Sequence, residues 1–198
     1  MNVQFKLVLG LLSALVFADG YKCPNGADIY NIGMNNWDNQ AAVNEHNRYR
    51  KMILNGRVNG QPRGKNIPML THDNNLAYGA QEVVKSCELR HKEQQDRRFS
   101  IGVGQNLYIS WSSVQNTTMD WHEAVKSWFD EHRNYRYSNA SGNALHYSQL
   151  VWAKTKVVGC SFSAYYDWQT PQLPYARLYA CNYGPAGNVH GETPYERA

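Results

Sequence analysis

The run Val157-Val158-Gly159-Cys160-Ser161-Phe162-Ser163-Ala164-Tyr165-Tyr166 is answered by Tyr175-Ala176-Arg177-Leu178-Tyr179-Ala180-Cys181-Asn182-Tyr183, and reading the two together decides the fold. Both are rich in aromatic and apolar residues, and Thr170-Pro171 sits near the middle of the segment between them, so they read as the strands of a hairpin. With the turn centred there, Cys160 stands directly across from Cys181, and Phe162 faces Tyr179. Directly opposed Cβ atoms meet the geometry that a disulfide needs.

Upstream, Asn106 to Ser110 reads as a further strand, with helical patterns both before and after it. Trp121, Ala124, Val125, Trp128 and Phe129 recur at helical spacing and predict a helix with one apolar stripe. Glu131, nearly two turns after Ala124, points along that stripe, where a carboxylate needs a partner, whereas Glu123 faces the other side. Leu76, Ala80, Val83 and Cys87 predict a second helix from about Thr71 or Asp73, its buried face ending in the cysteine. Ala42, His46, Tyr49 and Ile53 predict a first helix from about Asp38 to Asn55, stopped by Gly56 and followed by a loop with Gly60, Pro62, Gly64 and Pro68. Helices at the front and a hairpin at the end imply antiparallel strands covered by helices, not a parallel α/β sheet.

The whole chain has 198 residues, 42% of them hydrophobic, with a formal charge of +4, which excludes the low-hydrophobicity balance of a disordered chain. Lys6, the apolar run Leu7 to Phe17 and the small residues Ala18 and Gly20 read as a cleavable secretion signal over residues 1–18, with cleavage as late as residue 20 as the other boundary. The run is too short for a membrane span, so no integral membrane segment is expected. Four cysteines, Cys23, Cys87, Cys160 and Cys181, remain after the signal and contain no C-x-x-C pair, so two disulfides are expected in an oxidising compartment and a zinc knuckle is not. Of the three connectivities open to four cysteines, the one that joins the opposed hairpin pair also ties Cys23 to Cys87. Two sequons, at Asn116 and Asn139, suit a secreted glycoprotein.

Four stretches carry a family signature: His46-Asn47-Arg48-Tyr49-Arg50, Gly104-Gln105-Asn106-Leu107, His146-Tyr147-Ser148-Gln149-Leu150-Val151-Trp152, and Cys181-Asn182-Tyr183-Gly184-Pro185-Ala186-Gly187-Asn188. In this order they resemble the CAP superfamily, which includes cysteine-rich secretory proteins, antigen 5 venom allergens and plant pathogenesis-related proteins. The resemblance spans a domain at residues 37–189, between an N-terminal arm at 19–36 and a short tail at 190–198. It implies an α+β fold, an α-β-α sandwich with a three-stranded antiparallel sheet between helical layers, and a cavity lined by two histidines and two acids. Carried over by motif, the histidines are His91 and His146, one acid is Glu131, and the second acid position holds Gln105, where Gly-Glu-Asn is commoner. Leu145 also replaces the glycine that usually precedes the second histidine. The residues after Asn188 hold no cysteine, so the C-terminal module of channel-blocking relatives is not expected.

Two imidazoles and a carboxylate suit Zn²⁺ or Cu²⁺, a divalent metal not required for folding, with His91 and His146 as ligands and Glu131 as ligand or charge partner. Gln105 orients a ligand without adding charge, and Gln105→Glu is expected to tighten binding. The competing reading is a hydrogen-bonded cluster that braces the cavity. Ser148 in the same cavity suggests a serine-hydrolase alternative, with His146 or His91 as base and Glu131 orienting it, although no G-x-S-x-G elbow is present. His122-Glu123 lacks the second histidine of a zinc-protease helix, since position 126 is Lys, and reads as a solvated face. His46 and Arg50 read as interior residues that fix the first helix. From Arg48 to Lys65 six basic residues and no acid suit either an anion site or a solvated surface. Tyr165, Tyr166, Trp168 and Tyr175 near the hairpin end suit strand packing or an interaction surface. The resemblance implies a secreted, extracellular protein that acts by binding a small lipid, such as a sterol or fatty acid, or another small molecule, with an extracellular host or immune partner. Nucleic acid is not expected. A metal-dependent redox or hydrolytic enzyme is the alternative.

Overall fold

The computed structural model describes residues 20–137 and 144–198. The signal read over 1–18 and the sequon at Asn139 lie outside the described residues. In chain order the elements are β1 (Ile29–Ile32), α1 (Asn36–Leu54), β2 (Gly64–Lys65), β3 (Thr71–His72), α2 (Asn74–Val84), β4 (Gly104–Ser112), α3 (Trp121–Asp130) continued by a 3-10 turn at Glu131–Asn134, α4 (Leu145–Leu150), β5 (Val157–Tyr166), β6 (Tyr175–Gly184) and β7 (Glu196–Arg197).

The hairpin forms in the expected register: Cys160 opposes Cys181 and is bonded to it, and Phe162 opposes Tyr179 with ring centroids 4.9 Å apart. β4 pairs along its whole length with β6, so it runs from Gly104 to Ser112, longer than Asn106 to Ser110. β4, β6 and β5 are the three long antiparallel strands, and two short strands widen the sheet to five. β1 joins antiparallel to β5 on one side, and β3 pairs parallel with the start of β5. Neither was expected, because β1 is four residues long with a bulge and β3 is only two.

Side chains alternate across the sheet and feed two cores. On one face Val158, Cys160, Phe162, Tyr179, Cys181 and Tyr183 pack under α1, α3 and α4. On the other Tyr165, Ala176, Leu178 and Ala180 meet Ala80, Val83 and Val84 of α2. The result is the α-β-α sandwich. Gly159 lets α2 approach closely, because a Cβ there would lie 2.1 Å from the Ala77 nitrogen and 2.4 Å from the Asp73 carbonyl.

Local chemistry sets the helix ends. Asn35 caps α1 by accepting from the amides of Trp37 and Asp38, and Asp38 reaches back to the Asn35 amide, so the helix starts at Asn36 and not at Asp38. Asp73 caps α2 through the Leu76 amide, which leaves Thr71 and His72 free to be strand. α2 stops at Val84. Cys87 therefore lies beyond it, in a turn with φ of 54°, and is not the last residue of the helical face. There it bonds to Cys23, the expected partner. The segments read as arm and tail are packed into the fold: the arm supplies β1 and Cys23, while Tyr195 is buried at 2% exposure and β7 pairs with β2.

Candidate functional site

A cleft of about 470 Å³ opens where the start of β4, the start of α4 and the loop after α2 converge, lined by His91, Gln105, Asn106, Glu131, Leu145, His146 and Asn188. His146 is the second residue of α4. Glu131, at the end of the α3 stripe, holds it: Oε1 accepts from His146 Nδ1 at 2.7 Å, and Oε2 accepts from the backbone N–H groups of His146 and Tyr147 at 3.0 and 3.1 Å. This carboxylate thus satisfies two otherwise orphaned amides at the start of α4 and fixes His146 with its proton on Nδ1. The expected partner of the stripe carboxylate is therefore His146.

His91 lies on the loop and is exposed. Its Nδ1 donates to Gln105 Oε1 at 2.9 Å, an oxygen that also accepts from the Lys92 amide, while Gln105 Nε2 donates to the Lys92 carbonyl and to Asn182 Oδ1. Gln105 uses both ends of its amide, which a carboxylate cannot do. The loop is fastened further along. The Arg98 guanidinium bonds Asp73 and Asp96 and holds the Asp73 carboxyl below the usual carboxylate range.

Both histidines therefore carry Nδ1–H, and neither Nε2 has a hydrogen-bond partner among the described residues. Two imidazole Nε2 atoms border one cleft, the donor type that binds a divalent transition metal. Glu131 has both oxygens engaged with α4, so it orients His146 and stands beside it as a carboxylate charge partner. Among the described residues the one tight group of potential ligand atoms is His46 with Cys160 and Cys181, and those sulfurs are bonded to each other.

Ser148 does not line the cleft. It is fully buried, and its hydroxyl bonds Asn188 Oδ1 at 2.6 Å and the carbonyls of Ala144 and Leu145, with no histidine in reach. Among the described residues, then, Ser148 does not form the serine-nucleophile arrangement. Beneath the cleft lies a network that the sequence did not reveal: His46 Nδ1 donates to the Ala42 carbonyl, Tyr183 donates to His46 Nε2, and Asn106 Nδ2 donates to Tyr183 and to the His146 carbonyl. Burial pushes His46 down to about 4. Arg50, also buried, donates to the carbonyls of Pro68, Leu150, Trp152 and Thr155, so both residues fix α1 to the rest as expected.

The family model described as the cysteine-rich secretory protein family, CAP, matches residues 43–183. The chain belongs to the CAP family. It is 34% identical over 209 residues to salivary antigen-5 of Triatoma infestans, covering 96% of this chain and 85% of that protein. It is 33% identical over 176 residues to venom allergen 5.02 of Vespa crabro, covering 83% of each. The solved structure of BmVAL-1 superposes with a TM-score of 0.67 at 25% identity, over 90% of this chain and 88% of that one.

Other expectations resolve within this CAP fold. Glu123 is partly exposed but also partnered: it accepts from Tyr108 at 2.8 Å and from Arg177 at 2.9 Å, whereas His122 is exposed and reaches Glu45. The basic stretch does not form one patch, since Arg50 is buried, Arg48 pairs with Glu45 and Lys65 with Glu196. Asn116 is exposed, and its side chain bonds Thr118. No helix among the described residues is long and apolar enough to cross a membrane.

Proposed function

We propose that this CAP protein is secreted after loss of residues 1–18 and acts by binding, with a divalent metal, Zn²⁺ or Cu²⁺, held in the cleft by His91 and His146. The observation that carries this reading is that both imidazoles give Nδ1–H to an internal acceptor and border the same cleft with Nε2 unpartnered among the described residues. Bound metal supplies positive charge for an anionic or carbonyl group of a ligand. Glu131 and Gln105 set the tautomers, and Asn106 and Asn188 offer amides at the rim. The ligand class is a small lipid or other small molecule, with an extracellular host or immune partner for the domain at residues 37–189. Secretion draws support from the two disulfides and from relatives described as salivary and venom proteins.

Binding is favoured over turnover because the hydroxyl of Ser148, the candidate nucleophile, is buried and committed to Asn188. Native mass spectrometry of protein secreted from insect cells, with metal analysis of the same sample, tests the reading. It predicts metal or a small molecule on the folded protein, loss of the signal, and glycan on Asn116 and Asn139. Protein that is bare of both, and that neither metal nor lipid extract loads, contradicts it.

A further inference from the structure

A second cavity, of about 390 Å³, lies on the α2 side of the sheet. Ile109 and Trp111 of β4, Tyr165 of β5, Asp167, Glu88 and Arg90 line it, with the turn at Pro24-Asn25 closing one side. Trp111 is about 20 Å along β4 from Gln105, so the cavity is separate from the histidine cleft.

Its charges are unbalanced. At the rim Glu88 and Arg90 pair with each other at 3.6 Å. Asp167 has no ion pair among the described residues: Oδ2 accepts from Trp111 Nε1 at 2.9 Å and Oδ1 from the Gln169 amide at 3.0 Å, which leaves lone pairs unused. The bond from the indole also pins the half-exposed Trp111 ring beside the carboxylate. Tyr165 is 3% exposed as a residue, but its hydroxyl, which has no hydrogen-bond partner among the described residues, keeps contact with solvent. Burial first, then the nearby Asp167 and Glu88 carboxylates, raise the phenol further, so the hydroxyl stays protonated and available. An uncompensated carboxylate, a fixed aromatic ring, an apolar wall at Ile109 and an unused, accessible hydroxyl are what a small cation with an apolar body requires.

We propose that this cavity is a second ligand site, which takes a small protonated amine with an aromatic or short apolar body, its ammonium between Asp167 and the Trp111 ring and its far end toward the Tyr165 hydroxyl. Titration calorimetry of the secreted protein with tyramine tests it, alongside 4-ethylphenol, which lacks the ammonium, and 3-(4-hydroxyphenyl)propionate, which replaces it with an anion. Tyramine should bind saturably with one site, and 4-ethylphenol about tenfold or more weakly. Asp167→Asn should weaken tyramine by a similar factor, and Tyr165→Phe by a few-fold. Tyr165→Phe removes a hydroxyl that has no protein partner, so it should melt as wild type does and keeps the test decisive if Asp167→Asn folds poorly. The proposal is overturned if tyramine shows no saturable heat at millimolar concentration, if 4-ethylphenol binds as tightly, or if Tyr165→Phe leaves the affinity unchanged. Tighter binding of the propionate would also overturn it, and would make Arg90 the anchor of an anion site.

Discussion

Gln105 shows how donor and acceptor pattern, more than charge, decides a residue's role. Its Nε2 donates to the Lys92 carbonyl and to Asn182 Oδ1, so a carboxylate in its place faces two acceptors. Gln105→Glu, which charge alone would predict to tighten metal binding, should instead loosen the His91 loop and cost about 1–3 kcal/mol. Urea unfolding and zinc titration of the variant check this, and unchanged stability with tighter binding would restore the charge argument. Glu131 was legible in the sequence because it falls on the apolar stripe of α3. The four bonds of Gln105 were not, because they join β4 to the loop at His91 and Lys92 and to Asn182 on β6. His46 gives a pH prediction. It is fully buried, with Arg50 and Glu45 on its own helix and Tyr183 facing it from β6, and burial holds it near 4, below the ordinary value of 6.5. The unfolded chain therefore takes up a proton first as pH falls. The stability that a neutral His46 contributes is present above about pH 6.5 and is lost toward pH 4, about 3 kcal/mol in all. Urea unfolding across that window should show the loss in wild type and a flatter dependence in His46→Gln. Equal slopes would count against it.

Elements were legible in proportion to their length. β5, β6 and α3 show ten-residue patterns that composition and period identify. β1 and β3 are short pieces specified by pairing with β5. The helical spacing through Leu76, Ala80 and Val83 reaches Cys87, but the backbone leaves the helix at Val84 because Cys87 must turn back to meet Cys23. The loop between α2 and β4 carries His91 and is held at one end by Gln105 and at the other by Arg98, whose guanidinium spans Asp73 and Asp96. Phe99 beside it fills the space over Gly184, where a Cβ would lie 2.3 Å from the ring. Arg98→Ala should free the loop while the sheet stays intact. Hydrogen exchange should rise about tenfold or more over residues 88–103 and stay unchanged in β5 and β6. Unchanged exchange in the loop would show that Phe99 and Gln105 hold it without Arg98.

At the scale of the molecule, two cores lie on opposite faces of one sheet, and two cavities lie at opposite ends of β4, one bordered by histidines and the other by aromatic and acidic groups. The layering was legible from the hairpin and helix patterns together with the four motifs. The packing of Tyr195 and the buried line from His46 through Tyr183 and Asn106 to the His146 carbonyl were not, because each link lies on a different element and is fixed only when the layers close. The central claim is that the histidine cleft is a metal-binding centre and not only a brace. Titration calorimetry with Zn²⁺ at about pH 7.5, where ordinary imidazole is neutral, tests it on wild type, His91→Ala and His146→Ala. The account predicts one saturable site in wild type and a loss of at least about tenfold in each variant. Variants that bind Zn²⁺ as well as wild type, or a wild type that does not bind it, would contradict the claim and leave the cluster as a hydrogen-bonded brace between α3, α4 and β4.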